Sequence, residues 1–295
     1  MQVLTKSRSV ARVVTAAQTT EGDGVPIRRA FPGRALEDID PFLLLDEMGP
    51  LEFSPGSHAG FPDHPHRGFE TVTYVLEGAM EHRDSRGNHG ILGPGHVQWM
   101  TAGSGLVHSE MPGLELQRKG GRLHGFQLWV NLPRRDKMVT PRYQELPGSS
   151  IPSAADESGR VTVRIIAGES LGARAAIQTH TPISYLHFTL QPDGEHVQQI
   201  SGASNAFAYV IDGEVALGEG SAPLVGGQLA VFARDGDSVT LANRSRAEAN
   251  VLLIAGEPLG EPVARYGPFV MNTRGEIVQA VEDYRSGRMG AITVS

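Results

Sequence analysis

The chain has 295 residues, 40% of them hydrophobic and 20% charged, a composition typical of a globular protein with a buried core. Its net charge of −7 and its lack of a long Lys/Arg cluster argue against direct binding to DNA or RNA. It contains no cysteine, which excludes disulfides, thiolate metal sites and cysteine nucleophiles.

The N-terminal segment has basic residues but no continuous apolar stretch, so it does not have the pattern of a signal peptide. No apolar run in the chain is of transmembrane length. We therefore expect a cytoplasmic protein without a membrane partner.

Short apolar segments rich in β-branched residues, bounded by Gly, Pro or Asp, recur along the chain and predict strands. The segments are TVTYVLEG (71–78), HVQWMTAG (96–103), GFQLWVNL (125–132), VTVRIIAG (161–168), AFAYVIDGEVAL (206–217), QLAVFA (228–233) and NVLLIAG (250–256). The high content of glycine (36) and proline (19) fits many short strands joined by turns.

Helical periodicity is scarce until the segment TRGEIVQAVEDYRSG near the C-terminus. Thr273 and Glu276 form a capping-box pattern there, and Ile277, Val281 and Tyr284 share one helical face. The following glycine is a plausible end. The sequence thus predicts a mostly β protein with one short C-terminal helix.

A weak internal repeat divides the predicted strands into two sets. YVLEGAM (74–80) resembles YVIDGEV (209–215), and GPGHVQWM (93–100) resembles VGGQLAVF (225–232). A stretch rich in proline, serine and charge, residues 131–160, separates the two copies and has the composition of a connector. We therefore expect two similar antiparallel β modules in tandem.

We place the boundaries of the two modules on either side of this stretch. The N-terminal module covers residues 1–135, the connector residues 136–160, and the C-terminal module with the helix residues 161–295. Eight of the eleven histidines precede residue 131, so the second module repeats the scaffold without the histidine cluster. The cluster is therefore an addition to the fold rather than a requirement of it.

Two short motifs in the first module suggest a metal site. His64 and His66 are two residues apart, and so are His108 and Glu110, so that in regular strands each pair points to one face. Three imidazoles and one carboxylate on neighbouring strands would bind a divalent metal and leave coordination positions open for catalysis. Either pair alone is more often a surface or hydrogen-bonding feature, but together they favour a metal.

Glu70 competes with Glu110 as the carboxylate ligand. It lies four residues after His66, so an unbulged strand would keep both on one face, whereas a bulge at Gly68 would reverse that relation. His124, which begins a predicted strand, is the best candidate for a partner to a ligand imidazole. The remaining histidines of the first module are interpreted as surface or hydrogen-bonding residues: His58, His82, His89 and His96.

Four blocks of the chain, in order, resemble the pirin family of the cupin superfamily. They are FPDHPHRGFETVTYVLEG (61–78), VQWMTAGSGLVHSEMP (97–112), LWVNLP (128–133) and GPFVMNTRGEI (267–277). The general cupin pattern is met less well: the interval from Glu70 to Gly78 is one residue too long, and Pro94, Gly95 and His108 match its second motif only loosely.

The resemblance implies a bicupin of two tandem antiparallel barrels, with metal in the N-terminal barrel alone. It implies His64, His66, His108 and Glu110 as ligands, and then Glu70 is not one. The family's metal is usually taken as Fe(II), although residue chemistry also admits Cu, Mn, Co, Ni or Zn.

The leading functional hypothesis, similar to bacterial members of this family, is a metal-dependent dioxygenase that opens the ring of quercetin or a related flavonol with dioxygen. Glu110 would be the catalytic base, with Glu70 in reserve. The alternative is an iron redox-sensing regulator that binds a protein partner, like the co-regulator role described for the human member. A bicupin needs no partner to close its core, so we expect a monomer.

Overall fold

A computed structural model describes residues 5–218 and 221–293 of the chain. The described residues form two compact units. The histidine-rich unit comprises residues 18–32, 42–150 and 259–293, and the histidine-poor unit comprises residues 5–17, 33–41 and 151–258. Among these residues no helix is long and apolar enough to cross a bilayer.

Within the described residues, most of the regular structure is β-strand. The strands are β1 (Val10–Thr15), β2 (Ala17–Glu21), β3 (Val25–Phe31), β4 (Phe42–Phe53), β5 (Phe61–His66), β6 (Phe69–Glu77), β7 (Met80–Asp84), β8 (His89–Leu92), β9 (Val97–Thr101), β10 (Leu106–Pro112), β11 (Gly121–Asn131), β12 (Arg142–Leu146), β13 (Ser153–Ala155), β14 (Val161–Ala167), β15 (Glu169–Ser170), β16 (Ala173–Arg174), β17 (Ile183–Leu190), β18 (Glu195–Gln199), β19 (Asn205–Asp212), β20 (Glu214–Leu217), β21 (Leu224–Val225), β22 (Gln228–Phe232), β23 (Ser238–Ala242), β24 (Ala249–Gly256), β25 (Ala264–Tyr266) and β26 (Phe269–Met271). The α-helices are α1 (Leu114–Lys119) and α2 (Arg274–Arg285), and Arg134–Asp136 and Gly148–Ser150 are short 3₁₀ turns. The predicted all-β class with a short C-terminal helix is confirmed, and α1 is an addition that the sequence did not indicate.

The two units share one sheet topology. In the histidine-rich unit the strand orders are β12-β9-β6-β11-β4-β3-β2 and β5-β10-β7-β8, and in the histidine-poor unit they are β1-β22-β19-β24-β17-β14-β13 and β18-β23-β20-β21. Strand β6 corresponds to β19 and β9 to β22, which are the segments that the sequence repeat relates. Antiparallel ladders join β12-β9-β6-β11-β4-β3 and β5-β10-β7-β8 in the first unit, and β1-β22-β19-β24-β17-β14-β13 and β18-β23-β20-β21 in the second. The predicted pair of antiparallel β modules is therefore confirmed.

The glycines that align in the repeat occupy equivalent turns. Gly78 and Gly213 both have positive φ, 78° and 71°, a conformation that favours glycine. A Cβ at Gly78 would lie 2.4 Å from the carbonyl oxygen of Arg122, and one at Gly213 would lie 2.7 Å from the Cα of Ala249. These turns therefore require glycine for both backbone conformation and space.

Each unit is built from three separate stretches of the chain, whereas the predicted boundaries at residues 135 and 161 divide the chain into consecutive modules. Strand β1, near the N-terminus, is the edge strand of the histidine-poor unit, beside β22. Strand β12 holds the equivalent edge of the histidine-rich unit, beside β9, although it lies within the predicted connector. Each seven-stranded sheet is completed by a segment that sequence order alone would assign elsewhere.

The C-terminal segment belongs to the histidine-rich unit because its apolar residues pack there. Phe269, Ile277 and Ala280 share a buried cluster with Val107 of β10. Helix α2 begins with the predicted capping box: the hydroxyl of Thr273 accepts a hydrogen bond from the Glu276 amide, and the Glu276 carboxylate accepts one from the Thr273 amide.

A buried lysine forms hydrogen bonds with three segments of the histidine-rich unit. The Nζ of Lys137 donates to the carbonyl oxygens of Gly68 (2.8 Å) and Val270 (3.0 Å) and to the side-chain oxygen of Asn131 (2.7 Å). Burial lowers the pKa of Lys137 to about 8, because the charged form is poorly solvated there. The three acceptors make this costly position tolerable.

Replacing Lys137 with Met keeps the length of the side chain but leaves these three acceptors unpaired. We expect Lys137→Met to lower the free energy of unfolding by about 3 kcal/mol, measured by urea denaturation. Lys119→Met is the matched control, because the Lys119 side chain is 73% exposed and its loss should leave the denaturation midpoint close to that of wild type. Equal denaturation midpoints for the two variants would contradict this account of Lys137.

Candidate metal centre

The candidate centre is built on two antiparallel strands of the histidine-rich unit. Strand β10 pairs with β5 so that His108 lies opposite His64 and Leu106 lies opposite His66. Side chains on directly opposed residues have Cβ atoms about 4.5–5.5 Å apart, which is close enough for imidazoles to meet. The pairing thus joins two motifs that are separated by some forty residues in the sequence.

The structure brings the three predicted histidines together. One ligand nitrogen from each of His64, His66 and His108 lies within 4.8 Å of the other two. The ring centroids are 4.3 Å apart for His64 and His108, 4.7 Å for His64 and His66, and 4.8 Å for His66 and His108. The three residues could therefore hold one metal ion.

The hydrogen bond of His64 defines which of its nitrogens is available to a metal. Its Nδ1 is 2.7 Å from the carbonyl oxygen of Pro62, which can only accept, so in the neutral ring that binds metals Nδ1 carries the proton and Nε2 carries the lone pair. That Nε2 lies 3.1 Å from the Nε2 of His66. Two nitrogens at this separation can both lie about 2.1 Å from one cation, the usual metal–imidazole distance.

The burial of His108 also fits a metal ligand. Its side chain is fully buried, and neither ring nitrogen has a hydrogen-bond partner among the described residues. A buried polar atom without a partner costs about 1–3 kcal/mol, so such atoms require an explanation. A cation bound by one nitrogen of His108 would supply it.

Glu110 lies on the same strand as His108, two residues further on, but is not part of the three-histidine group in the described chain. Strand β10 pairs regularly with β7 from His108 to Pro112, so His108 and Glu110 point to the same face. Both oxygens of the buried carboxylate accept hydrogen bonds, one from Thr73 Oγ1 (2.8 Å) and one from Gln127 Nε2 (2.7 Å).

Glu70 and Thr73, the residue that donates to Glu110, lie on opposite faces of strand β6. Glu70 lies three residues before Thr73 on β6, and side chains alternate between faces along a strand. Its carboxylate accepts a hydrogen bond from Thr101 Oγ1 at 2.7 Å. His66 ends β5 and Glu70 lies on β6, a strand of a different sheet, and Gly68 between them has a positive φ of 87°. The four-residue spacing therefore does not place the two side chains on one face of one strand.

His124 does not serve as the partner of a ligand imidazole in this structure. Its Nε2 instead lies 2.8 Å from a carboxylate oxygen of Glu47, a buried residue that also pairs with Arg28. The start of a strand was a weak signal for this role, because it gave the position of His124 along the strand but not the neighbour that its ring meets.

His82 is close to the cluster, although the sequence gave no reason to single it out. It is buried on β7, its ring centroid is 5.5 Å from that of His108, and both its ring nitrogens are unpaired within the described residues. Tyr143 lies against its other side, with ring centroids 4.8 Å apart. The pairing of β7 with β10 places His82 opposite Glu110, and that register cannot be read from the sequence.

Burial lowers the pKa of three buried histidines at this site. It is the largest cause for His66, His108 and His82, and the like charge of His64 adds to it for His66 and His108. These imidazoles are therefore held in the neutral form, which is the form that binds metals.

A cavity of about 570 Å³ opens beside the cluster and is lined by His64 and His66. Its apolar wall includes Phe61 and Trp129. The volume is within the range of about 300–1,000 Å³ that is common for small-molecule sites. The arrangement therefore combines potential metal ligands with a space for an organic molecule.

The polar side of the cavity contains a paired arginine and aspartate. Arg29 donates to both carboxylate oxygens of Asp46, at 2.8 and 2.6 Å, and to Glu21 at 2.8 Å. Burial nevertheless raises the pKa of Asp46, against the opposing effect of Arg29. Arg265 also lines the cavity, with its guanidinium carbon 5.1 Å from the centroid of the Trp129 ring.

The fold and the site together define a bicupin with a histidine cluster in one unit. Residues 24–130 match the family model "Pirin", and residues 185–290 match "Pirin C-terminal cupin domain". These two matches cover more than half of the chain. The chain belongs to the pirin family.

Individual relatives agree with this assignment. A pirin-like protein from Solanum lycopersicum is 46% identical over 288 residues, covering 98% of this chain and 95% of the relative. Human pirin is 45% identical over 287 residues, covering 96% and 94%. The crystal structure of quercetin 2,3-dioxygenase from Acinetobacter baumannii has a TM-score of 0.90 at 36% identity, covering 97% of this chain and all of that one.

The lowered pKa values of the buried histidines predict how the stability of the metal-free protein depends on pH. In the unfolded chain these groups return towards the ordinary value of 6.5, so below it the unfolded state binds more protons than the folded state. Stability should therefore fall as the pH decreases below about 6.5, by up to about 1.4 kcal/mol per pH unit for each such histidine.

We would measure urea unfolding of chelator-treated protein between about pH 7.5 and about pH 5.5. His108→Asn should reduce the pH dependence, whereas His58→Asn, at an exposed position outside the cluster, is the matched control. A pH dependence that His108→Asn leaves unchanged would contradict the assignment of this effect to the cluster.

Proposed function

We propose that this protein is a metal-dependent dioxygenase that opens the ring of quercetin or a related flavonol. The convergence of His64, His66 and His108 beside a cavity of small-molecule size is the observation that carries the proposal. The structural similarity to a quercetin 2,3-dioxygenase, at 36% identity over nearly the whole chain, supports the substrate class.

We propose His64, His66, His108 and Glu110 as the metal ligands and Fe(II) as the metal, on family grounds. A bound divalent ion would supply Lewis acidity toward a flavonol hydroxyl and a redox centre for dioxygen. Each oxygen of Glu110 accepts one hydrogen bond, from Thr73 or from Gln127, and keeps a second lone pair that a metal could use.

The chain's own residues would bind and orient the substrate. The apolar wall with Phe61 and Trp129 suits aromatic rings, and a bound ring would displace water from that side of the cavity. The Arg29–Asp46 pair provides both donors and acceptors for phenolic hydroxyls at the polar side.

Glu110 is the proposed acceptor of the flavonol proton. It is buried and lies two residues from His108 on the same face of strand β10. Glu70 faces away from Thr73 on its strand and is therefore the weaker candidate. We further propose a cytoplasmic monomer whose partners are the flavonol and dioxygen.

The first experiment measures metal content and quercetin-dependent oxygen uptake on wild type, His66→Ala and His58→Ala purified in parallel. We expect about one metal ion per chain and oxygen uptake for wild type and for the exposed control His58→Ala. We expect His66→Ala to lose both, with metal affinity reduced by more than about 100-fold.

The outcomes separate the two parts of the proposal. If wild type binds metal but consumes no oxygen after loading with Fe, Mn, Co, Ni, Cu or Zn, the dioxygenase proposal fails and the redox-sensing regulator becomes the leading hypothesis. If wild type binds no metal, the ligand assignment itself is wrong.

A further inference from the structure

A chain of two hydrogen bonds joins the carboxylate of Glu110 to the wall of the cavity. Gln127 Nε2 donates to Glu110 Oε2 at 2.7 Å, and Trp129 Nε1 donates to Gln127 Oε1 at 3.0 Å. Gln127 and Trp129 are two residues apart on β11 and therefore share a face, and both line the cavity with His64 and His66.

Chemistry allows only one orientation of the Gln127 amide between these partners. A carboxylate accepts hydrogen bonds and the indole N–H only donates, so the amide NH₂ must face Glu110 and the amide oxygen must face Trp129. A rotation of the amide by 180° would oppose its oxygen to the carboxylate and its NH₂ to the indole N–H. Trp129 therefore fixes the direction in which Gln127 donates.

The Trp129 ring is itself held firmly by its neighbours. It packs against Phe69 with ring centroids 4.4 Å apart, meets His66 edge-on at 5.2 Å, and lies under the guanidinium of Arg265. The indole thus contacts His66 and, through Gln127, is linked to the carboxylate of Glu110, which lies two residues from His108.

We propose that Gln127 is a positioning residue that aims the Glu110 carboxylate, and that the Trp129 N–H holds Gln127 in the productive orientation. This inference rests on the proposed metal centre with Glu110 as a ligand. Hydrogen bonds to a ligating carboxylate fix its orientation, and loss of such a partner typically weakens metal binding by about 10–100-fold. A ligand in the cavity would contact the same two residues.

Three variants test the proposal. Gln127→Met keeps the side-chain length but removes both hydrogen bonds, and Trp129→Phe keeps an aromatic ring but removes the N–H donor. Gln198→Met is the matched control, because Gln198 is a buried glutamine of the histidine-poor unit whose oxygen accepts a hydrogen bond from Ser170. All are compared with wild type for Co²⁺ affinity, for the visible spectrum of bound Co²⁺ and for metal-free thermal unfolding.

We expect Gln127→Met to weaken Co²⁺ binding by about 10-fold or more and to alter the Co²⁺ spectrum. Trp129→Phe should weaken binding less, because the amide can still donate in part of its orientations. The double variant should bind no more weakly than Gln127→Met alone, since the Trp129 N–H acts through Gln127. Gln198→Met should retain wild-type affinity and spectrum whatever its effect on unfolding.

Wild-type affinity and spectrum in Gln127→Met would overturn the inference while leaving the metal centre intact. Losses that multiply in the double variant would overturn the role of the Trp129 N–H. If Gln127→Met does not fold, Trp129→Phe decides the question, and an unchanged Co²⁺ spectrum in that variant counts against the proposal. Failure of wild type to bind Co²⁺ or any other divalent metal would overturn both this inference and the metal centre on which it rests.

Discussion

The candidate site depends on the register between strands β5 and β10. With His108 opposite His64 and Leu106 opposite His66, all four side chains point to the same face, and the three imidazoles meet there. A slip of one residue would turn each side chain of one strand to the other face and separate the histidines. The metal-ligand geometry is in this sense a consequence of strand pairing.

Much of the fold could be predicted because its signals are local. The alternation of apolar residues located the strands of the repeat, the Gly78 and Gly213 turns aligned its two copies, and Thr273 with Glu276 marked the start of the last helix. The His–x–His and His–x–Glu spacings also indicate shared faces, because side-chain direction along a strand has a period of two. These inferences need no knowledge of which strands pair.

The features that escaped prediction all depend on pairing between distant strands. His82 lies opposite Glu110 only because β7 pairs with β10, and Gln127 reaches Glu110 only through the sheet that contains β11 and β6. Whether Glu70 shares a face with His66 depended on the backbone at Gly68, and the sequence could not establish the left-handed conformation of that glycine. Family resemblance supplied the set of four candidate ligands. The hydrogen bonds that Glu110 accepts could be identified only in the structure.

The histidine-poor unit shows what the same scaffold does without the cluster. Its strands β18 and β23 correspond to β5 and β10, yet Val197 lies opposite Thr240 and Gln199 opposite Ser238. His196 is on β18, but its partner across the ladder is Leu241, which is fully buried in the apolar core together with Val215, Leu217 and Val239.

An apolar core of this kind gains stability from burial, while the histidine-rich unit keeps unpaired imidazoles in its interior at a cost that burial does not offset. Because the topology is stable with an apolar interior, the buried histidines are not needed to form the fold, and their cost is best explained by the binding of a metal.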